Sequence, residues 1–316
     1  MKAAFIINDF KTMNLEKDTS IFLIKEAQKN KIETFAFDTS DVSIEAQKIK
    51  AKVKEVTFNK PVGYEYSLSK KNTHNLEDFD FVINRLNPPF NKEYLYLTHL
   101  LEIFGIKAIN PPKALREINE KLSILNFPDL APKTIVTASI DEIRSFVKEN
   151  GKAVLKPLDG MGGKSIFFLS SEDKNINVIW ENVTKNGRNL VMIQEFVEEA
   201  KDGDNRLVFI NYKLLPYKLI RIPSTEDFRG NLAAGATSEV CDITKEDEKA
   251  AEQIIPFLKK NRIYFAGADM LGNYISELNI TSPTCLQEIN NSSECNPGEI
   301  FWKDLIEIKK SEYKRN

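Results

Sequence analysis

At 316 residues the chain is long enough for two or three domains with a sizeable core. Apolar residues make up 42% and charged residues 28%, with a formal net charge of −2, which disfavours wholesale binding to nucleic acid or to an anionic membrane. No run approaches the roughly 18–20 apolar residues that cross a bilayer. The apolar stretch 3–7, broken at Asn8-Asp9, is too short for a signal peptide.

Residues 3–7 read as a short strand, and Asp18 as the cap of a helix carrying Ile21, Ile24 and Ala27. A second strand at 34–37 completes a βαβ unit, which predicts a parallel sheet. From 48 to 54 lysine alternates with Ile49, Ala51 and Val53. That pattern predicts a strand with one wet, basic face: a protected edge strand, or, less simply, a phosphate-binding strip. Another strand at 79–85 runs into Asn87-Pro88-Pro89, and a helix is expected over 92–104. Asn110-Pro111-Pro112 then introduces a helix with Leu115, Ile118, Leu122 and Leu125 at helical spacing. Pro128 and Pro132 punctuate a domain joint near 120–130.

The middle of the chain predicts a helix over 141–149 closed by Asn150-Gly151, a strand at 153–156, a glycine-rich turn, and strands at 165–169 and 190–194. Further on, 207–210 and 213–222 form a hairpin around Asn211-Tyr212. The segment 223–239 is long and polar. Thr244 with Asp247 resembles a capping box for a helix reaching Lys260. Strands at 264–270 and 274–280 turn at Gly272-Asn273. Helices finish the chain.

Three groups of residues carry chemistry. Gly160, Gly162 and Gly163 allow close backbone approach and positive φ, so their N–H groups can cradle phosphate. The segment is not a Walker A loop, because Leu158 stands where its first glycine belongs. It is not a dinucleotide fingerprint, because Ser165 replaces the third glycine. A strand–glycine loop–strand flap remains, or a plain hairpin turn. Asp269 lies opposite Glu277 and Asn279, which share a strand face two residues apart. Two carboxylates and an amide oxygen suit Mg²⁺ completed by substrate phosphates, although an exposed polar strand face has the same spacing. Finally, Lys121, Lys156, Arg85, Arg221 and Arg229 stand at joints and turns where cations can meet phosphate or carboxylate. Cys241, Cys285 and Cys295 have no CxxC spacing and read as reduced thiols. His74 and His99 stand alone and read as structural.

Several runs together resemble the ATP-grasp ligases, and more narrowly the bacterial-type glutathione synthetases. They are Asn110-Pro111-Pro112 to Asn119-Glu120-Lys121-Leu122, Lys156 to Gly163, Lys201-Asp202-Gly203-Asp204, Arg221-Ile222-Pro223, Arg229 to Gly235, and Glu277 to Thr284. The similarity spans residues 18 to about 289, in order. It implies an α/β architecture: an ATP-grasp fold with an N-terminal doubly wound parallel-sheet domain over 1–122, a central subdomain over 123–200 and a C-terminal subdomain over 201–316. The implied reaction joins γ-glutamylcysteine and glycine at the expense of ATP, through an acyl phosphate.

The resemblance also implies residue roles. Lys121, Lys156, Gly160, Met161, Gly162 and Gly163 contact ATP, with Gln194, Glu195, Phe196 and Val197 as the hinge strand for adenine. Asp269, Glu277 and Asn279 hold Mg²⁺, with Mn²⁺ as an alternative. Arg221 and Arg229 face the reacting phosphate and carboxylate. Arg85 and Ser282 lie on the peptide side, and 224–239, with Gly230, Asn231 and Gly235, forms a mobile loop. A cytoplasmic homo-oligomer, a tetramer in the family, is expected, with small-molecule partners only. The family pattern has aspartate where Asn87 stands and Gly-Gly where Gly235-Ala236 stands, and Thr237 and Ser238 replace a more basic or glycine-rich continuation. Loop closure and substrate choice are the properties these departures touch. A sister ligase acting on a peptide or protein carboxylate would differ around Arg85 and Ser282. A non-catalytic ATP-binding protein would not need the retained ligands and arginines.

Overall fold

The computed structural model describes residues 1–60, 63–87, 90–160, 165–223 and 237–313. The N-terminal strand Lys2–Ile6 is buried on both faces: Ala4 and Ile6 enter one core, Ala3 and Phe5 another. That two-sided burial is why it reads as an unbroken apolar run. It pairs in parallel with Glu33–Phe37 and with Phe81–Asn84, and the latter with Ala108–Ile109. Asp18 caps the helix Thr19–Lys29, its Oδ1 accepting from Ser20 N and Ile21 N.

Two expectations change here. The basic strand is Lys48–Phe58, and it is not an edge. It lies between Glu33–Phe37 and Val42–Glu45, and Tyr66–Leu68 and Asn72–Asn75 pair with it as well, all antiparallel. The alternation of burial was readable; the position was not, because pairing partners are set by the later hairpins. The parallel sheet is therefore mixed. Second, the expected helix from Pro112 to Leu125 is two pieces: an α-helix Pro112–Glu117 and a 3₁₀ turn Leu122–Asn126. Asn119 breaks it, its Oδ1 accepting from Lys121 N and Leu122 N in competition with helical bonding.

The middle of the chain forms an antiparallel four-stranded sheet with the order Phe167–Ser170, Lys152–Pro157, Val191–Glu195, Thr134–Thr137. The helix Ile140–Asn150 packs on it, capped by Ser139 and ended by Gly151 at φ 75°. Ile143, Val147, Leu155, Leu169 and Ile193 give this lobe a core of its own.

The third sheet has the order Thr237–Asp242, Tyr217–Ile222, Asp204–Ile210, Phe265–Leu271, Tyr274–Asn279, with Lys213–Leu214 also on Asp204–Ile210. The two-residue turns Asn211-Tyr212 and Gly272-Asn273 fall where the sequence predicts them. So does the capping box of Lys245–Lys260, built by Thr244 and Asp247. The last helix, Pro297–Tyr313, returns to the N-terminal layer. There fully buried Trp302 meets Phe5 and Phe81 edge-on and its Nε1 donates to Leu23 O at 2.8 Å.

Candidate active site

The third sheet gathers charge on one face. Side chains two apart on a strand share a face, and the antiparallel register sets Arg206 against Asp269 and Asp269 against Glu277 in one cross-strand row. Asp204 faces Arg221 in the neighbouring row. Arg206 grips Asp269 bidentately, through Nε and through Nη2 at 2.9 Å. Arg221 Nη2 lies 2.6 Å from Asp204 Oδ2 and 2.8 Å from Asp269 Oδ1, and Asn279 Nδ2 donates to Asp269 Oδ2 at 3.1 Å.

Two guanidiniums thus neutralise two carboxylates in a nearly dry place. Burial works against ionised Asp269, yet Arg206 and Arg221 hold its carboxyl well below the usual range. Burial and the Asp269 charge push Asp204 the other way, to about 6. Arg221 keeps its proton well above the usual arginine range despite burial, because Asp269 and Asp204 flank it. Gly267 makes the grip possible: a Cβ there would lie 2.7 Å from Arg206 Cδ.

Two lysines reach the same place, Lys156 from the central lobe and Lys121 from the segment bonded to the last strand of the third sheet. Lys156 is buried, its Nζ 2.6 Å from Gln194 Oε1. Burial lowers it to about 8, against the opposing pull of Glu277. Lys121, also buried, reaches Gly160 O and Glu277 Oε1, the latter at 3.1 Å. Glu195 Oε1 accepts from Lys133 N, and Phe196 follows with its ring edge-on to Phe168. Val197 is buried where the chain turns out of the lobe.

Arg85 is set apart from this cluster. It follows the parallel strand Phe81–Asn84, and its guanidinium lies 5.5 Å from the Phe265 ring. Phe265 and Asp269 share a strand face four residues apart, about 13 Å. Arg85 Nε donates to Ser20 Oγ at 3.1 Å, Nη1 is buried without a hydrogen-bond partner, and burial lowers its pKa to about 10. A buried guanidinium N–H calls for an acceptor, whether water or an anion. Ser282 is half-buried in the turn after Asn279.

The structure brings the predicted residues Asp269, Glu277, Asn279, Lys121, Lys156, Gln194 and Arg221 together, keeps Ser282 in the turn that follows, and sets Arg85 apart. Met161, Gly162 and Gly163 of the glycine turn, and Arg229, Gly230, Asn231 and Gly235 of the polar loop, lie outside the described residues. Sequence reasoning misses Arg206, Asp204 and Glu120. Arg206 had a signal: a lone arginine at the start of the apolar strand Asp204–Ile210, on the same face as Asp204.

The donor set fits a hard cation. Asp269 and Glu277 carboxylates and the Asn279 amide oxygen are hard donors; Glu277 is partly open, while the Asp269 oxygens are engaged by Arg206, Arg221 and Asn279 Nδ2. Among the described residues no three His, Cys, Asp or Glu side chains cluster as a metal cage. Mg²⁺ takes one or two carboxylates and relies on phosphates and water for the rest.

The family model for the prokaryotic glutathione synthetase N-terminal domain matches residues 1–116, and that for its ATP-grasp domain residues 120–294. The chain is 38% identical to the glutathione synthetase of Wigglesworthia glossinidia brevipalpis over 294 residues, 92% of this chain and 93% of that one. It is also 38% identical to the glutathione synthetase of Vibrio parahaemolyticus, over 92% of each. Among solved structures, D-cycloserine synthetase DcsG superposes with a TM-score of 0.69 at 13% identity, over 98% of this chain and all of that one. D-alanine–D-alanine ligase of Bacillus anthracis gives 0.58 at 16% identity, over 98% and 99%. These two show the fold.

Proposed function

The chain belongs to the prokaryotic glutathione synthetases and is an ATP-dependent ligase that forms glutathione, and on that premise we propose which of its residues do the chemistry and how. ATP is its co-substrate and its partners are small molecules. The carboxylate of γ-glutamylcysteine is a poor electrophile, because its charge repels an amine. Transfer of the γ-phosphoryl group from ATP to a carboxylate oxygen gives an acyl phosphate and ADP. The amine of glycine, deprotonated, then attacks the carbonyl carbon and phosphate leaves. The protein's part is alignment and charge stabilisation.

In this reading Lys121, Lys156 and the glycine turn 160–163 bind the triphosphate, and Gln194 to Val197 receive adenine. Arg221 and Arg229 meet the transferred phosphoryl group and the developing oxyanion. Arg85 and Ser282 bind the peptide. Asp269, Glu277 and Asn279 would hold Mg²⁺, with Mn²⁺ as an alternative, and the ion supplies several kcal/mol of phosphate charge stabilisation. The observation that carries the reading is the cross-strand row Arg206–Asp269–Glu277, with the buried lysines Lys121 and Lys156 brought to it. A cytoplasmic homo-oligomer, a tetramer as in the family, completes the proposal.

Phosphate release with γ-glutamylcysteine, glycine and ATP, each omitted in turn, tests it. Turnover needing all three is expected. Equal release without γ-glutamylcysteine would remove the assigned acid substrate.

A further inference from the structure

The segment Asn119-Glu120-Lys121 touches three parts of the site. Asn119 Nδ2 donates to Leu158 O at 2.9 Å, and Lys121 Nζ donates to Gly160 O, so the flanking residues hold the base of the glycine turn. Glu120 holds something else. Its backbone oxygen accepts from Leu278 N at 3.0 Å, between Glu277 and Asn279. Its Oε1 accepts from Ile280 N at 2.6 Å, Thr281 N at 2.9 Å and Thr281 Oγ1 at 3.0 Å.

Beyond Asn279 the strand leaves the sheet, and its next N–H groups have no ladder partner. Glu120 takes both of them, while Asn110 Nδ2 donates to Ile280 O at 2.7 Å from the opposite side. Ile280 is therefore fixed at both its N–H and its C=O. One oxygen accepting three donors is best served by a full negative charge. Glu120 is half-buried near Glu277; burial first and that like charge second raise its pKa, against the three donors that favour the ionised form.

We propose that Glu120 is a positioning residue for the acid and amine substrates. Its carboxylate sets the turn Ile280–Thr281, and through it Ser282, against the metal-ligand strand, while Asn119 and Lys121 serve the nucleotide side. The inference rests on the reading of Ser282 as a substrate contact. It separates two effects within three consecutive residues: loss of the Glu120 carboxylate acts on substrate KM and spares ATP.

The test is steady-state kinetics of the full-length protein with each substrate varied, beside ATP affinity by equilibrium titration. Glu120→Ala is expected to raise KM for γ-glutamylcysteine or glycine by about 10- to 100-fold, the loss of a charge-assisted cluster. ATP affinity should stay within about 3-fold. Glu120→Gln keeps an acceptor oxygen but not the charge and is expected to recover only part of the loss. ATP affinity falling as far as substrate KM, or neither moving, overturns the proposal.

Should Glu120→Ala not fold, Thr281→Ala measured alone and in the Glu120→Gln background decides. A larger effect on substrate KM with the carboxylate present supports the proposal, and equal effects in both backgrounds overturn it. A wild type that turns over these substrates while all Glu120 variants match it sinks this inference alone. A wild type without turnover sinks the reading of the whole site.

Discussion

Lys156 gives up its proton more readily than a surface lysine because burial penalises the cation, to about 8. Two consequences of opposite sign follow. The unfolded chain keeps that proton up to the ordinary 10.5, so between 8 and 10.5 it binds more protons than the folded chain, and this group makes stability rise with pH. ATP affinity should do the reverse. The free protein loses the phosphate-binding cation above 8, so Kd should rise about tenfold by pH 9. Titrating ATP binding against pH checks this, and Lys156→Arg should flatten the limb, since guanidinium stays charged. Glu277 tests the metal set from the other side. Glu277→Gln removes a charged oxygen ligand that Lys121 engages. The Mg²⁺ concentration for half-maximal activity should rise at least about tenfold. An unchanged metal dependence would move the metal elsewhere.

At the scale of elements, the site is a property of strand register. Arg206 and Asp269 lie 63 positions apart in the chain and meet because Asp204–Ile210 and Phe265–Leu271 pair residue for residue. Gly267 lets the guanidinium lie flat on the neighbouring strand. Gly267→Ala should therefore displace Arg206, costing about 1–3 kcal/mol of stability from overpacking and lowering kcat with it. Urea unfolding with parallel kinetics is the check; a stable variant with full activity would show that Arg206 can sit elsewhere without loss. The same hairpin shows what a sequence tells at this level. Gly272-Asn273 and the alternation of Asp269, Glu277 and Asn279 were legible, since turn chemistry and period-2 faces are local. The break at Asn119 was not, because a single side chain there outcompetes the helical spacing of Leu115, Ile118 and Leu122.

Across the whole molecule, one buried asparagine couples the layers. Asn110 follows the last parallel strand, and its side chain makes four hydrogen bonds to the third sheet. Its Oδ1 accepts from Tyr264 N and Phe265 N, and its Nδ2 donates to Phe265 O and Ile280 O. Asn110→Ala would leave two buried donors and two buried acceptors without partners. It should cost about 3 kcal/mol or more, read as a lower midpoint in urea, with weaker Mg²⁺-dependent activity in the folded fraction. A variant as stable as wild type would mean that water replaces the amide.

The sequence by itself determined most element types, most caps and turns, and the family, and it supplied the candidates for phosphate, metal and peptide contact. Those depend on short-range chemistry or on runs such as Lys156 to Gly163 that carry a family resemblance. Tertiary structure alone decided that the basic strand sits inside its sheet and that Trp302 closes the N-terminal core. It also brought Arg206 and Asp204 to Asp269 and Arg221, and Glu120 to the turn after Asn279. Each of these rests on which distant strand or helix lies alongside, and pairing at long range is fixed by burial and register across the whole fold.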